Sequence, residues 1–175
     1  MSIFPKHRDD NTYVRAAGLG AVTGLRSMLP LALLAAGLNG DSPVGGFRPS
    51  RGDGLAARLL GSRAGLVICG LVAAGELVGD KLPFTPGRIE PPVFAERLVV
   101  GAIVGGVVGQ LGGGSPWLGA LIGSATSGAA AAAGYYGRTT LSRVTPLPQQ
   151  AWGVIEDGVA ITLGAKVLGL HPRRR

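Results

Sequence analysis

The chain has 175 residues, of which 46% are hydrophobic and 15% charged, with mean hydropathy +0.35 and net charge +7. A soluble domain carries about 25% charged residues, so the deficit points to lipid as part of the solvent. The basic residues collect in loops and tails, and aromatic residues make up only 5%. That pattern excludes an aromatic-interleaved nucleic-acid surface and fits anionic headgroups instead.

Residues 1–13 form a polar tail with no signal-peptide core, and the single transmembrane domain is expected over 14–170. A span needs about 20 apolar residues. Five segments approach that length: 14–38, 64–78, 93–111, 116–136 and 151–170. The expected fold is therefore all-α, an integral membrane bundle of four or five transmembrane helices. Segment one is expected as one helix through 14–38, kinked at Pro30.

A polar loop rich in Gly and Pro covers 39–63. Its end, 54–63, is amphipathic at helical spacing, with Leu55, Leu59 and Leu60 on one face, and reads as a short interfacial helix. Pro83, Pro86, Pro91 and Pro92 rule out regular helix in the link between segments two and three. Residues 171–175 form a basic tail. Basic residues divide eight against seven between the two sides of a five-span topology, which sets no orientation.

Glycine marks the packing faces. Segment three carries Gly101, Gly105, Gly109 and Gly113 at four-residue spacing, so they share a helix face. Segment one has Gly20 and Gly24, and segment four has Gly119 and Gly123, at the same spacing. Close packing inside one protomer is one use of these faces; a homo-oligomer interface through segment three is the other. Leu19-Gly20-Ala21-Val22-Thr23-Gly24 also parallels Leu118-Gly119-Ala120-Leu121-Ile122-Gly123. Each is followed by an acid-bearing segment, which suggests an inverted internal repeat of the kind found in transporters.

Ionisable groups inside such segments are costly unless they face protein or water. Arg26, with Ser27 beside it, sits halfway along segment one and needs a partner. Glu76 and Asp80 lie one turn apart on segment two, with Lys81 next, and Glu156 and Asp157 lie near the start of segment five. These seven residues are the candidate polar seam. Structural ion pairs are the alternative for all of them, and a favourable helix-start position is the alternative for Glu156 and Asp157. Glu96, at the start of segment three, reads as a capping residue.

No catalytic constellation is present. His7 and His171 lie in the tails, no nucleophile motif occurs, and Cys69 alone provides neither a disulfide nor a cysteine metal site. No metal and no cofactor is expected.

The runs Gly24-Leu25-Arg26-Ser27-Met28-Leu29-Pro30-Leu31 and Glu76-Leu77-Val78-Gly79-Asp80-Lys81-Leu82-Pro83, followed by Ser142, Pro146 and Glu156-Asp157, resemble an uncharacterised bacterial integral-membrane family. That family is classed as a domain of unknown function. The resemblance covers about 14–170 and is most specific at Asp80-Lys81-x-Pro83. It implies a membrane location and supplies no activity.

The composite expectation is a multi-pass protein of the cell (inner) membrane, not an enzyme. Its expected role is that of a channel or transporter, or a component of one, for an ion or small solute. A structural or partner-binding membrane protein is the alternative, and an intramembrane enzyme the third reading. The lipid bilayer and a second copy of the chain are the expected partners.

Overall fold

The computed structural model describes residues 11–39, 54–79, 90–145 and 149–169. Seven helices and no strand occur among the described residues: α1 (Thr12–Leu25), α2 (Leu29–Asn39), α3 (Leu55–Leu60), α4 (Arg63–Gly79), α5 (Pro91–Leu111), α6 (Pro116–Val144) and α7 (Gln149–Leu168). The chain is thus all-α. One of these helices, α5, is long and apolar enough to cross a membrane.

The frame is a trio, α1, α5 and α6, in which α5 against α6 is the most extensive contact. Glycine explains why these helices approach so closely. A Cβ on Gly105 would fall against the Gly119 carbonyl, and one on Gly119 against the Gly105 carbonyl. A Cβ on Gly101 would lie 2.7 Å from the Gly123 carbonyl oxygen, and one on Gly109 2.7 Å from that of Ser115. From α1, Gly20 abuts Gly123, and Gly24 abuts the backbone of Ser127 and Ala131. Backbone meets backbone along the whole seam, as in small-residue packing of membrane helices. The glycine face of α5 is therefore covered by α6 of the same chain.

Gly113 departs from the expected series. Helix α5 ends at Leu111, and Gly113 takes φ 73° in the turn that follows, a left-handed conformation open to glycine. Ser115 then caps α6, accepting from the Leu118 N–H at 3.4 Å, and Pro116 occupies the first turn, where no donor is needed. The start of α1 is fastened to this turn. The Thr12 hydroxyl donates to the Gly112 carbonyl at 3.2 Å, and the Ser115 N–H donates to the Tyr13 hydroxyl oxygen at 2.9 Å.

The largest difference from expectation lies in segment one, which is broken rather than kinked. Helix α1 stops at Leu25, Arg26 is extended (φ −141°, ψ 107°), and α2 begins at Leu29. Pro30 accounts for the position. It has no N–H to offer the Arg26 carbonyl, and its ring would collide with that oxygen in a continuous helix. In the first turn of α2 neither defect matters.

The remaining helices clothe the trio. Helix α7 packs on α1 and α2, and α4 packs chiefly on α2 and α3. The Asn39 side-chain amide donates to the carbonyls of Ala35, Leu60 and Ser62, at 2.9 to 3.3 Å, and so ties the end of α2 to the α3–α4 turn. Helix α3 is shorter than the predicted stretch and is turned differently. Ala57 and Leu60 are buried, while Leu55 and Leu59 point outward with Arg58. Helix α6 runs on to Val144, eight residues past its expected end, and has no break where its counterpart in the suggested repeat has one.

The glycine seam makes two substitutions diverge. Gly105→Ala should force α5 and α6 apart and cost about 2 kcal/mol or more. Gly70→Ala, at a helical glycine with nothing within 4 Å of its Cβ position, should be neutral or stabilise by up to roughly 1 kcal/mol. Thermal unfolding in detergent, followed by circular dichroism, measures both; equal effects would show that the seam does not govern stability.

Candidate functional site: a charged helix break

Ending a helix in the protein interior strands backbone groups. At the break the last carbonyls of α1 and the N–H groups that lead into α2 lose the partners a continuous helix would give them. Side chains of two other helices supply replacements. Glu76 of α4 accepts from the Ser27 N–H through Oε1 at 2.7 Å and from the Met28 N–H through Oε2 at 2.9 Å. Arg97 of α5 donates through Nη1 to the Gly24 carbonyl at 2.6 Å, with the Thr23 carbonyl at 3.5 Å. A carboxylate thus sits on a helix N-terminus and a guanidinium on a helix C-terminus, each on the end its charge favours. The two side chains lie beside each other, with Arg97 Nη2 4.0 Å from Glu76 Oε1.

Arg26, in the break itself, forms a close ion pair with Asp157 of α7. The Ser27 hydroxyl, 3.2 Å from Glu96 Oε2 of α5, donates to that carboxylate. Arg26 and Arg97 are each 2% exposed. One turn therefore gathers residues from α1, α4, α5 and α7: two guanidiniums facing three carboxylates. A second pair, Arg138 of α6 with Glu156 of α7 at 3.8 Å, lies on the neighbouring residue of α7.

Of the seven predicted seam residues, the structure brings Arg26, Ser27, Glu76 and Asp157 to the break. Glu156 is turned to Arg138 instead. Asp80 and Lys81 lie outside the described residues. Glu156 and Asp157 are also not at a helix start: α7 begins at Gln149, two turns earlier, so the helix dipole does not account for them. Glu96 does not cap α5, whose N-cap is Glu90. It sits in the second turn and faces Ser27.

Arg97 is the residue of the break that is absent from the predicted seam. The signal was present. Arg97 lies four residues before Gly101 on the Gly101, Gly105, Gly109 face, the face that packs inward. The Ser127 hydroxyl donates to the Arg97 carbonyl at 2.9 Å and locks that turn of α5 against α6.

Among the described residues no cluster of His, Cys, Asp and Glu has the makings of a metal site. What the arrangement does chemically is hold opposite charges against two helix ends within a low-dielectric interior. Such groups interact far more strongly there than in water.

A double-mutant cycle on Arg26 and Asp157 separates pairing from mere burial. Asp157→Leu alone leaves Arg26 buried without its counter-charge and should cost about 3 kcal/mol or more. Arg26→Met with Asp157→Leu should cost less than either single change. Chemical denaturation in mixed micelles provides the energies; additive losses would mean that the two charges do not stabilise each other.

No protein-family model, no curated protein and no solved structure matches this chain.

Proposed function

We propose that the chain is a multi-span integral protein of the cell (inner) membrane. In this reading the broken helix is a site through which an ion or small solute is moved, by this protein alone or as a component of a transporter. The observation that carries the proposal is the discontinuous helix α1/α2, with its two ends held by buried charges. Broken helices whose ends point at charged groups recur at transport sites near the bilayer midplane, where helix ends supply fixed partial charges to a cargo. Irregular backbone at that depth is tolerated where it is enclosed by protein or lines a cavity.

Two features support the membrane setting. The charges lie inside while the outer faces are aliphatic: Val67, Ile68 and Leu71 of α4, Leu121 of α6 and Val159 of α7 are all exposed. The frame is also held by glycine contacts, which stabilise helix pairs in lipid without a hydrophobic driving force. Helix α5 satisfies the length and hydropathy of a span by itself; the proposal extends spanning to α4, α6, α7 and the α1/α2 pair.

The alternative is a structural or partner-binding membrane protein whose charges serve only to hold the break in place. The favouring observation is that Glu76 and Arg97 are already engaged with backbone.

Flux decides between the two. Purified protein in proteoliposomes should raise proton flux (entrapped dye) or sodium or chloride flux (radiotracer) above that of protein-free vesicles. Glu76→Gln and Arg26→Ala should lower it about tenfold, the equivalent of one charged hydrogen bond. Leak equal to that of empty vesicles for all three ions, with and without the substitutions, would leave the structural reading in place. Retention of the protein in the membrane pellet after an alkaline carbonate wash checks the setting itself.

A further inference from the structure

Helix α4 is attached to the bundle in an unusual way. The trio α1, α5 and α6 is zipped backbone to backbone, whereas α4 packs chiefly on α2 and the short α3. Of its hydrophobic residues only Ala73 is fully buried, and Val67, Ile68, Leu71 and Val78 face outward. Gly70 and Gly75 on the same helix have nothing within 4 Å of a built Cβ. After Arg63, Glu76 is the sole charged residue of α4, and its carboxylate reaches into the break. Leu66 and Cys69, in the first half of α4, pack against the core, and Gly65 abuts the Leu59 carbonyl; toward its other end the one charged side chain that reaches the break is that of Glu76.

We propose that Glu76 is a proton-operated latch: the carboxylate holds α4 on the helix break, and taking up a proton releases α4 from it. As an anion in a low-dielectric interior, Glu76 cannot leave its two N–H donors and the Arg97 guanidinium without a cost of several kcal/mol. On protonation the carboxyl group becomes neutral. It loses its attraction to the N-terminus of α2 and to Arg97, and the half of α4 that follows Ala73 is then held by no other charged group of its own. Movement of α4 then uncovers the Ser27 and Met28 N–H groups, just ahead of α2, and the side chain of Arg97.

The groups around Glu76 make this residue the switching point. Helix α2 contributes no ionisable side chain, and on α3 Arg58 is exposed. From α5 come Arg97, which stays on the Gly24 carbonyl, and Glu96, which takes the Ser27 hydroxyl. From the break and α7 come Arg26 and Asp157, paired to each other. The latch depends on the low-dielectric surroundings proposed above and on no cargo, so it can hold or fail independently of any flux.

Spin labels read it directly. In a Cys69→Ala background, Leu71→Cys on α4 and Leu121→Cys on α6 report the distance between latch helix and frame. Val99→Cys on α5 with Leu121→Cys reports the frame alone. All three positions are exposed. In lipid nanodiscs, pulsed electron paramagnetic resonance should show the α4–α6 distance lengthening by several ångströms from alkaline to acidic pH, with the α5–α6 distance unchanged. Glu76→Gln should show the long distance at both pH values. An α4–α6 distance in the Glu76 protein that does not respond to pH would overturn the latch, whatever the variant does. So would a pH response that survives in Glu76→Gln, which would assign the switch to another group. A shift of both label pairs together would mean general loosening and would equally count against it.

Discussion

Everything about the charged cluster follows from one missing hydrogen-bond donor. Pro30 cannot continue the helix begun at Thr12, and the break falls where the chain is buried. Interior backbone groups that lose their partners cost about 1–3 kcal/mol each. Water is the usual remedy at a helix end. Here the partners are Glu76 for the Ser27 and Met28 N–H groups and Arg97 for the Gly24 carbonyl. Charged partners suit this position better than neutral ones, because each also meets the half-charge of the adjacent helix end. Placing them together requires α4 and α5 to converge on one turn, and that convergence fixes the arrangement of the outer helices.

The glycine seam makes this convergence affordable in space. Helices separated by ordinary side chains would lie too far apart for Arg97 on α5 to reach the carbonyls ending α1. Gly24 abuts α6 at the turn where α1 ends, and Gly101 abuts α6 one turn after Arg97. The same close approach lets Ser127 of α6 bond the backbone of Arg97. Packing and electrostatics are thus two consequences of one set of small residues: they bring backbones together, and the shortened distances let long charged side chains find helix ends. An apolar substitution in the seam would disturb the charges without touching them.

Much of this was legible in the chain. Four-residue glycine spacing marked the faces of α1, α5 and α6, and the depth of Arg26 and Glu76 in apolar segments marked them as partners of something buried. The break was harder to see, because a proline in a long apolar run reads equally as a kink. What decided between kink and break was the pair of charges able to cap both severed ends, one of them 73 positions away in sequence from the carbonyl it caps. Arg97 was harder to see for a related reason. It lies close to the start of a segment, and only its register with Gly101 and Gly105 shows that it turns inward. Register on a helix face is the stronger signal, because it is set by geometry, whereas depth depends on where a helix is taken to begin. The register of Asp157 with Arg26 crosses from α7 to the break and could not be inferred from spacing along either helix.

The structural and transport readings of the cluster are less opposed than they first look. A charge that caps a helix end stabilises the fold only while it remains charged, so its structural role depends on its protonation state. Arg97 keeps its proton under all ordinary conditions, and it lies on α5, within the rigid trio. Glu76 lies on α4, outside that trio, on a helix packed chiefly against α2 and α3. One cap is mounted within the trio and the other on a helix outside it. A cluster serving only to hold a break would gain nothing from that division, since capping both ends from the rigid frame would serve it better. The proposed latch at Glu76 rests on this asymmetry between the two caps.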